Sequence, residues 1–388
     1  MIAVRPLYFL SIILLTACSQ DPVPTANISL QQVLGGGVDP AFRQATSPRQ
    51  FSFPRDHGRH DGFRNEWWYI TGNLETSRGR QFGFQVTFFR IALAPQASTK
   101  RQSNWATSHV WMAHVAVTDP AQQRHLSHER FAREAMQLAG TDSSPFRVWV
   151  GDWVLSADTT DLPWDLNIKT DDFELAFEFD PLTSPMLQGE QGLSQKSAEP
   201  GNASYYYSLS RLDTRGTLRL GDTAYPVSGL SWLDREWSSS SLGSDQSGWD
   251  WFSMQMDDGT DLMLYRLRDH QGNTNPHSGG SLLGSGQHQT RLKSNDFVLT
   301  PKRWWQSESG AKYPVMWELE VKFANQQGST NNQGPLKKQW TVEAVLDDQE
   351  MKLSVNYWEG MVLIREEGKT IGKGYLEMTG YHQGSKGG

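Results

Sequence analysis

The sequence predicts an all-β chain of antiparallel strands, and three observations predict it. Apolar residues alternate with a period of two: Phe82, Phe84, Val86 and Phe88 interleave with Gly83, Gln85 and Thr87, the spacing that puts one row of side chains on an apolar face. Turn chemistry separates such runs, as in Ser77-Arg78-Gly79-Arg80 and Asp257-Asp258-Gly259. The composition agrees, with 35 Gly, 16 Trp, only 20% charged residues and no long helical stripe. Short strands at regular spacing point to a sandwich or barrel rather than to βαβ units.

The elements follow in order. EWWYITGNLETSRGRQFGFQVTFFRIAL (66–93) is a strand, a turn and a second strand in aromatic letters. WMAHVAVTD (111–119) continues the pattern, and FELAFEFD (173–180) sets Phe173, Leu175, Phe177 and Phe179 against Glu174, Ala176, Glu178 and Asp180, a half-buried strand. VSGLSWLDREW (227–237) and GWDWFSMQMDDGTDLMLYRLRD (248–269) repeat the aromatic signature. TVEAVLDDQEMKLSVNYW (341–358) reverses at Asp347-Asp348, and YWEG (357–360) and GYLEMTGY (374–381) close the chain. EWWYITG and GYLEMTGY read as opening and closing strands of related modules, with a boundary near 240 after Trp237-Ser238-Ser239-Ser240-Ser241. That divides the chain into domains 51–240 and 241–388.

Taken in this order, EWWYITG, WLDREW, GWDWF and YLEMTGY resemble the carotenoid 1,2-hydratase-like, or AttH-like, family over residues 50–382. The resemblance implies two lipocalin-like antiparallel β-barrel domains in tandem. Members also carry the label of secreted hydrolases, yet the chain has no Gly-x-Ser-x-Gly nucleophile turn. Gly279-Gly280 and Gly284-Ser285-Gly286 lack the following Lys-Ser/Thr of a phosphate loop.

The N-terminus reads as a lipoprotein signal peptide, residues 1–17. Arg5 precedes the apolar run Leu7 to Leu15, too short to remain as a membrane-spanning helix, and Leu15-Thr16-Ala17 leads into Cys18, the only cysteine. Acylation of Cys18 would anchor the chain to a membrane and leave no free thiol. Ser19, in place of a retention Asp, favours the periplasmic face of the outer membrane. Residues 18–50 are a tether, rich in Pro, Gln, Ser, Ala and Gly. The net charge of −7 becomes one unit more negative once Arg5 is removed, and no basic block stands out, which argues against nucleic acid and anionic membrane surfaces as partners.

Candidate chemistry centres on WLDREW. Asp234, Arg235 and Glu236 sit between Trp232 and Trp237 inside a strand-like run, so buried members need partners. Asp234 and Glu236 are the candidate general acids, Arg235 is a structural ion-pair partner, and indole faces can stabilise a developing cation. Glu66 beside Trp67-Trp68-Tyr69 and Asp250 between Trp249 and Trp251 repeat the theme, although Asp250 reads as solvated while its neighbours are buried. DHGRHDG (56–62) carries Asp56, His57, His60 and Asp61 without a zinc spacing, and loop hydrogen bonding accounts for it better than a metal. His109 and His114 fall on opposite faces of one uninterrupted strand. No cofactor and no metal is expected.

The aromatic load has two uses, core filling and the lining of an apolar cavity inside a barrel. Trp67, Trp68, Tyr69, Trp232, Trp237, Trp249, Trp251 and Tyr265 are the candidate ligand-binding residues, for a lipid, polyene or isoprenoid. The family's named reaction adds water to an alkene, but its His and Asp align near Arg235 and Leu267, which do not match, whereas Trp237 and Tyr265 fall at matching aromatic positions. Two functions follow: an envelope lipoprotein that binds or hands over a hydrophobic molecule, serving a membrane transporter, or a cofactor-free enzyme acting on such a molecule by proton transfer.

Overall fold

The computed structural model describes residues 37–95, 107–240, 242–323 and 336–382. The signal peptide, Cys18 and the tether as far as residue 36 lie outside the described residues. Within them the chain is all β, apart from single 3-10 turns such as Arg55–His57. No described helix is long and apolar enough to cross a membrane.

Two large antiparallel sheets organise the fold. The first runs Arg124–Arg133, His109–Asp119, Gln81–Ala92, Asn65–Glu75, Thr223–Ser238, Ala203–Leu220, Phe173–Pro181, Trp164–Lys169, Trp153–Ser156, Phe146–Val150, Ala139–Ser143. Side chains rather than a ladder draw the end strand Arg124–Arg133 to the far half of the sheet. Arg130 reaches Asp152 and the Lys169 carbonyl and lies 4.5 Å from the Trp153 ring. The second sheet has Gln246–Met256, Asp261–Asp269, Lys369–Met378 and Asn356–Glu366 at its centre. Its terminal strands, Gln289–Lys293 and Phe297–Gln306, adjoin across a tight turn closed by Asp296.

Each sheet curls around its own filled core. Trp68, Phe84, Phe88, Trp111, Trp164 and Trp237 pack with their neighbours inside the first barrel, and Phe252, Trp317, Trp358 and Leu376 inside the second. An interior cavity in either barrel was one reading of the aromatic load; the rings instead occupy that space, as side chains do in small barrels.

The outward faces are buried too, because the barrels pack on one another. Tyr69, Tyr206, Trp232, Trp251, Met361 and Tyr375 form one apolar cluster between them, and Phe89, Met112, Met351 and Tyr357 another. Gly83 permits this approach: a Cβ there would stand 2.4 Å from the Met361 side chain. Polar bridges complete the seam. Gln255 Nε2 donates to the Ser210 carbonyl at 2.7 Å, and the Thr118 hydroxyl donates to Gln349 at 3.0 Å.

Alternation decides where the charges of WLDREW go. Trp68 pairs with Arg235 and Trp67 with Glu236 across the ladder, so Arg235 turns into the first barrel while Asp234 and Glu236 turn to the second. There Arg235 Nη2 donates to Glu66 Oε1 at 2.7 Å, and the guanidinium lies 3.9 Å from the Trp68 ring centre. Arg90 holds the other Glu66 oxygen at 3.0 Å, and His60, stacked on Trp237 at 3.6 Å, donates from Nδ1 at 2.7 Å. Burial alone would raise the Glu66 pKa, but the two guanidiniums and His60 hold it well below the usual carboxylate range. Asp250 is the counterpart in the second barrel. The expectation of a solvated Asp250 is corrected: it is fully buried, held by Arg266, Arg268 and the Tyr381 hydroxyl, while Trp249 and Trp251 turn outward.

Breaking one partner of such a pair strands a buried charge. Arg235→Met should lower the unfolding free energy by about 3–5 kcal/mol in chemical denaturation, and adding Glu66→Gln should recover part of the loss. Losses that simply add in the double variant would mean that the pair is not coupled.

Candidate functional site between the barrels

A cleft of about 870 Å³, its open mouth included, lies between the two barrels rather than inside either. The first sheet contributes Trp67, Tyr69, Phe89, Tyr206, Asp234 and Glu236; the second contributes Trp249, Trp251, Tyr265, Tyr357, Glu359 and Glu377. Each set is an outward row on adjacent strands. Phe89, Trp67 and Glu236 are successive ladder neighbours, as are Tyr265, Trp251 and Glu377.

Most of the sequence-derived ligand residues come together here: Trp67, Tyr69, Trp249, Trp251 and Tyr265 line the cleft. Two do not. Trp68 and Trp237 belong to the first core, because their strand parity points them inward. Trp232 packs between the barrels and acts through its indole N–H, which donates to Asp234 Oδ1 at 2.7 Å. Of the positions at which the resemblance expected a His and an Asp, Arg235 faces away and Leu267 lines the cleft without bringing an acid.

The acids come instead from four other places. Asp234 accepts from Tyr206 at 2.5 Å and Ser208 at 2.6 Å as well as from Trp232. Burial outweighs these donors and pushes its carboxyl up to about 7. Glu236 is bound to Lys196 at 2.6 Å, which commits it to an ion pair. Glu377, partly open to solvent, accepts from the Trp249 indole at 3.2 Å and is pushed up to about 8, chiefly by burial.

Glu359 is the most deeply buried of the four. It is 1% accessible, and neither oxygen has a well-formed hydrogen bond among the described residues, although the Tyr69 and Tyr357 hydroxyls stand near. Burial first, and the facing Glu377 second, raise it well above the ordinary carboxylate range. Glu359 and Glu377 are direct cross-strand partners, so two negative charges there would repel. Sequence reading missed both, although YWEG and YLEMTGY were in view. The signal was the one already noted at Glu66, an acid set among large rings in a strand.

The other histidines singled out in the sequence make hydrogen bonds within the fold. His109 and His114 do lie on opposite faces, His109 bonded to Glu134 at 2.5 Å and His114 Nδ1 to the Tyr357 hydroxyl at 2.9 Å. His57 Nδ1 meets the Tyr207 hydroxyl at 2.6 Å. Among the described residues no group of three His, Cys, Asp or Glu side chains is arranged to hold a metal ion.

Two filled barrels clasping an aromatic, carboxyl-bearing cleft define a lipocalin-like double-barrel protein. The AttH-like family model matches residues 44–381, and the chain belongs to that family. A crystal structure of a Nitrosomonas europaea protein, described as a candidate AttH, is 34% identical, with a TM-score of 0.77 over 88% of this chain and all of that one. Kievitone hydratase from Nectria haematococca shares 14% identity and a TM-score of 0.63 over 87% of this chain and 98% of its own, and CghA 11% and 0.53 over 90% and 98%. These two likenesses are of fold. No curated protein matches this sequence.

The raised carboxyls carry a sign. A carboxyl whose folded pKa exceeds its unfolded value supports the fold at low pH, and that support is lost as pH rises through the folded value. Buried His57, His114 and His125, lowered by burial to about 4, 3 and 3, act oppositely, but only below their unfolded value of 6.5. From about pH 7 to pH 9 the carboxyls therefore dominate. The melting temperature should fall across that window by several degrees, and Glu377→Gln should flatten the fall; an unchanged slope in the variant would refute the raised value.

Proposed function

We propose that the cleft takes up an apolar, alkene-bearing molecule and adds water to it by acid–base chemistry without a cofactor. The observation that carries this reading is Glu359, a buried carboxyl lacking well-formed hydrogen-bond partners, set among rings that would face a substrate. A binding pocket for an oily guest gains nothing from four carboxyls, whereas protonation of a carbon–carbon double bond needs an acid that holds its proton at neutral pH.

In the proposed step Glu359 gives its proton to one alkene carbon, leaving a cation on the other. The faces of Trp67, Trp249 and Trp251 stabilise that cation in place of water. A water then bonds to the cationic carbon and releases its proton to Asp234, whose carboxyl, pushed up to about 7, is ionised in part at neutral pH and is oriented by its three donors. Glu377, which stands opposite Glu359 across the ladder and lines the same cleft as Asp234, provides the route by which the proton returns. The sum is one water added across one double bond, with every protein group restored. Glu236 has no part in the proton transfer, since Lys196 holds it.

The carrier reading keeps the cleft and omits the chemistry. The N-terminal sequence supplies an address for either: acylation at Cys18 would hold the cleft at the periplasmic face of the outer membrane, in reach of a membrane transporter, and Cys18→Ala should abolish labelling by radioactive palmitate.

Solvent extraction and native mass spectrometry of the purified protein should recover an apolar alkene or its hydrate. Incubation of a panel of long isoprenoid alkenes in ¹⁸O-labelled water should yield labelled alcohol, with Glu359→Gln slowing turnover by about a hundredfold or more while binding persists. Asp234→Asn should slow it comparably and Glu236→Gln far less. Full activity in the Glu359 and Asp234 variants would refute the proton transfer, and an extracted ligand with no turnover would leave a carrier.

A further inference from the structure

We propose that the end of the first barrel nearest the cleft is a lipid-contacting rim, through which an apolar ligand passes between a bilayer and the cleft. Seven large apolar side chains stand exposed among the described residues, and four of them, Leu93, Phe131, Met136 and Leu138, gather at this end, 47–59% exposed. The ladder registers put them there. Asn65 pairs with Ile91 and Ser238, Ala92 with His109, and Val110 with Arg133, so the exits of three strands and the entrances of two share one edge.

Three further observations converge on the same edge. The cleft lies just inside it: lining residues Trp67, Phe89 and Glu236 are two or three positions from these strand ends, and Trp67 keeps some exposure. Phe89 and Ile91 then follow one another outward on the cleft face, and Leu93 stands just past the strand's end at Ala92. Second, residues 43–47 are fixed at this edge, Arg43 to Gly62 and Ser239, and Ser47 to Tyr205. The tether that leads back to Cys18 therefore joins the fold here.

Third, the charge at this end is not that of the whole chain. The total of −7 disfavours an anionic surface, but Arg43, Arg64 and Arg133 flank the rim and have no ion-pair partner among the described residues. Of the nearby acids, Asp61 and Glu134 share Arg59, and Asp39 receives only the Ala41 backbone N–H, so the four arginines exceed these three acids by one charge. Apolar side chains flanked by arginines match the apolar and headgroup layers of a bilayer surface. A ligand that is insoluble in water has to arrive from such a phase, whether the cleft transforms it or only holds it.

Hydrogen exchange of the full chain, with and without vesicles of mixed neutral and anionic phospholipid, tests this directly. Vesicles should slow exchange at least threefold in peptides covering 89–95 and 129–138 and leave the second barrel unchanged. Leu93→Glu combined with Phe131→Glu should abolish that protection and slow uptake of a fluorescent fatty acid from vesicles at least tenfold, with uptake from detergent solution retained. Glu359→Gln should leave the protection intact, which separates failure of the rim from failure of the proposed chemistry. Absence of protection at these peptides, or protection centred elsewhere, would overturn the proposal.

Discussion

The structure turns on the burial of both faces of the central strands. Inward rows fill the two barrels and outward rows meet between them, so few polar groups on these strands have bulk water as their default partner. Each must be paired, hydrogen-bonded or kept neutral. Glu66 and Asp250 take the first route, with two arginines apiece. Asp234 takes the second, through Tyr206, Ser208 and Trp232. Glu359, with only the Tyr69 and Tyr357 hydroxyls near it and no cation, takes the third. A carboxyl left in that condition is expensive for stability and useful for chemistry, and the rings around it are what keep it dry.

Much of this was legible in the letters. FELAFEFD alternates in the fold as it does on paper, with Phe173, Leu175, Phe177 and Phe179 buried. The reversals at Ser77–Arg80 and Asp257–Gly259 fall between paired strands, and Gly259 adopts the positive φ that such a turn requires. The family followed from four short motifs, and the match over residues 44–381 agrees with it.

What the letters withheld was the destination of each face. A period of two says that Arg235 and Asp234 part company, not which of them meets a second barrel. Trp68 and Trp67 are the same residue type one position apart, yet one is core and the other cleft wall. Asp250 was read as wet because nothing local announces Arg266 and Arg268 across the ladder. Glu359 and Glu377 escaped because their meaning lies in standing opposite one another and facing Asp234, a relation between strands far apart in sequence.

Infrared difference spectroscopy of the cleft carboxyls weighs this account most directly. At neutral pH the protein should show the C=O stretch of protonated carboxyl groups in a weakly hydrogen-bonded setting, with one component missing in Glu359→Gln and another in Glu377→Gln. A spectrum at neutral pH containing only ionised carboxylates would contradict it.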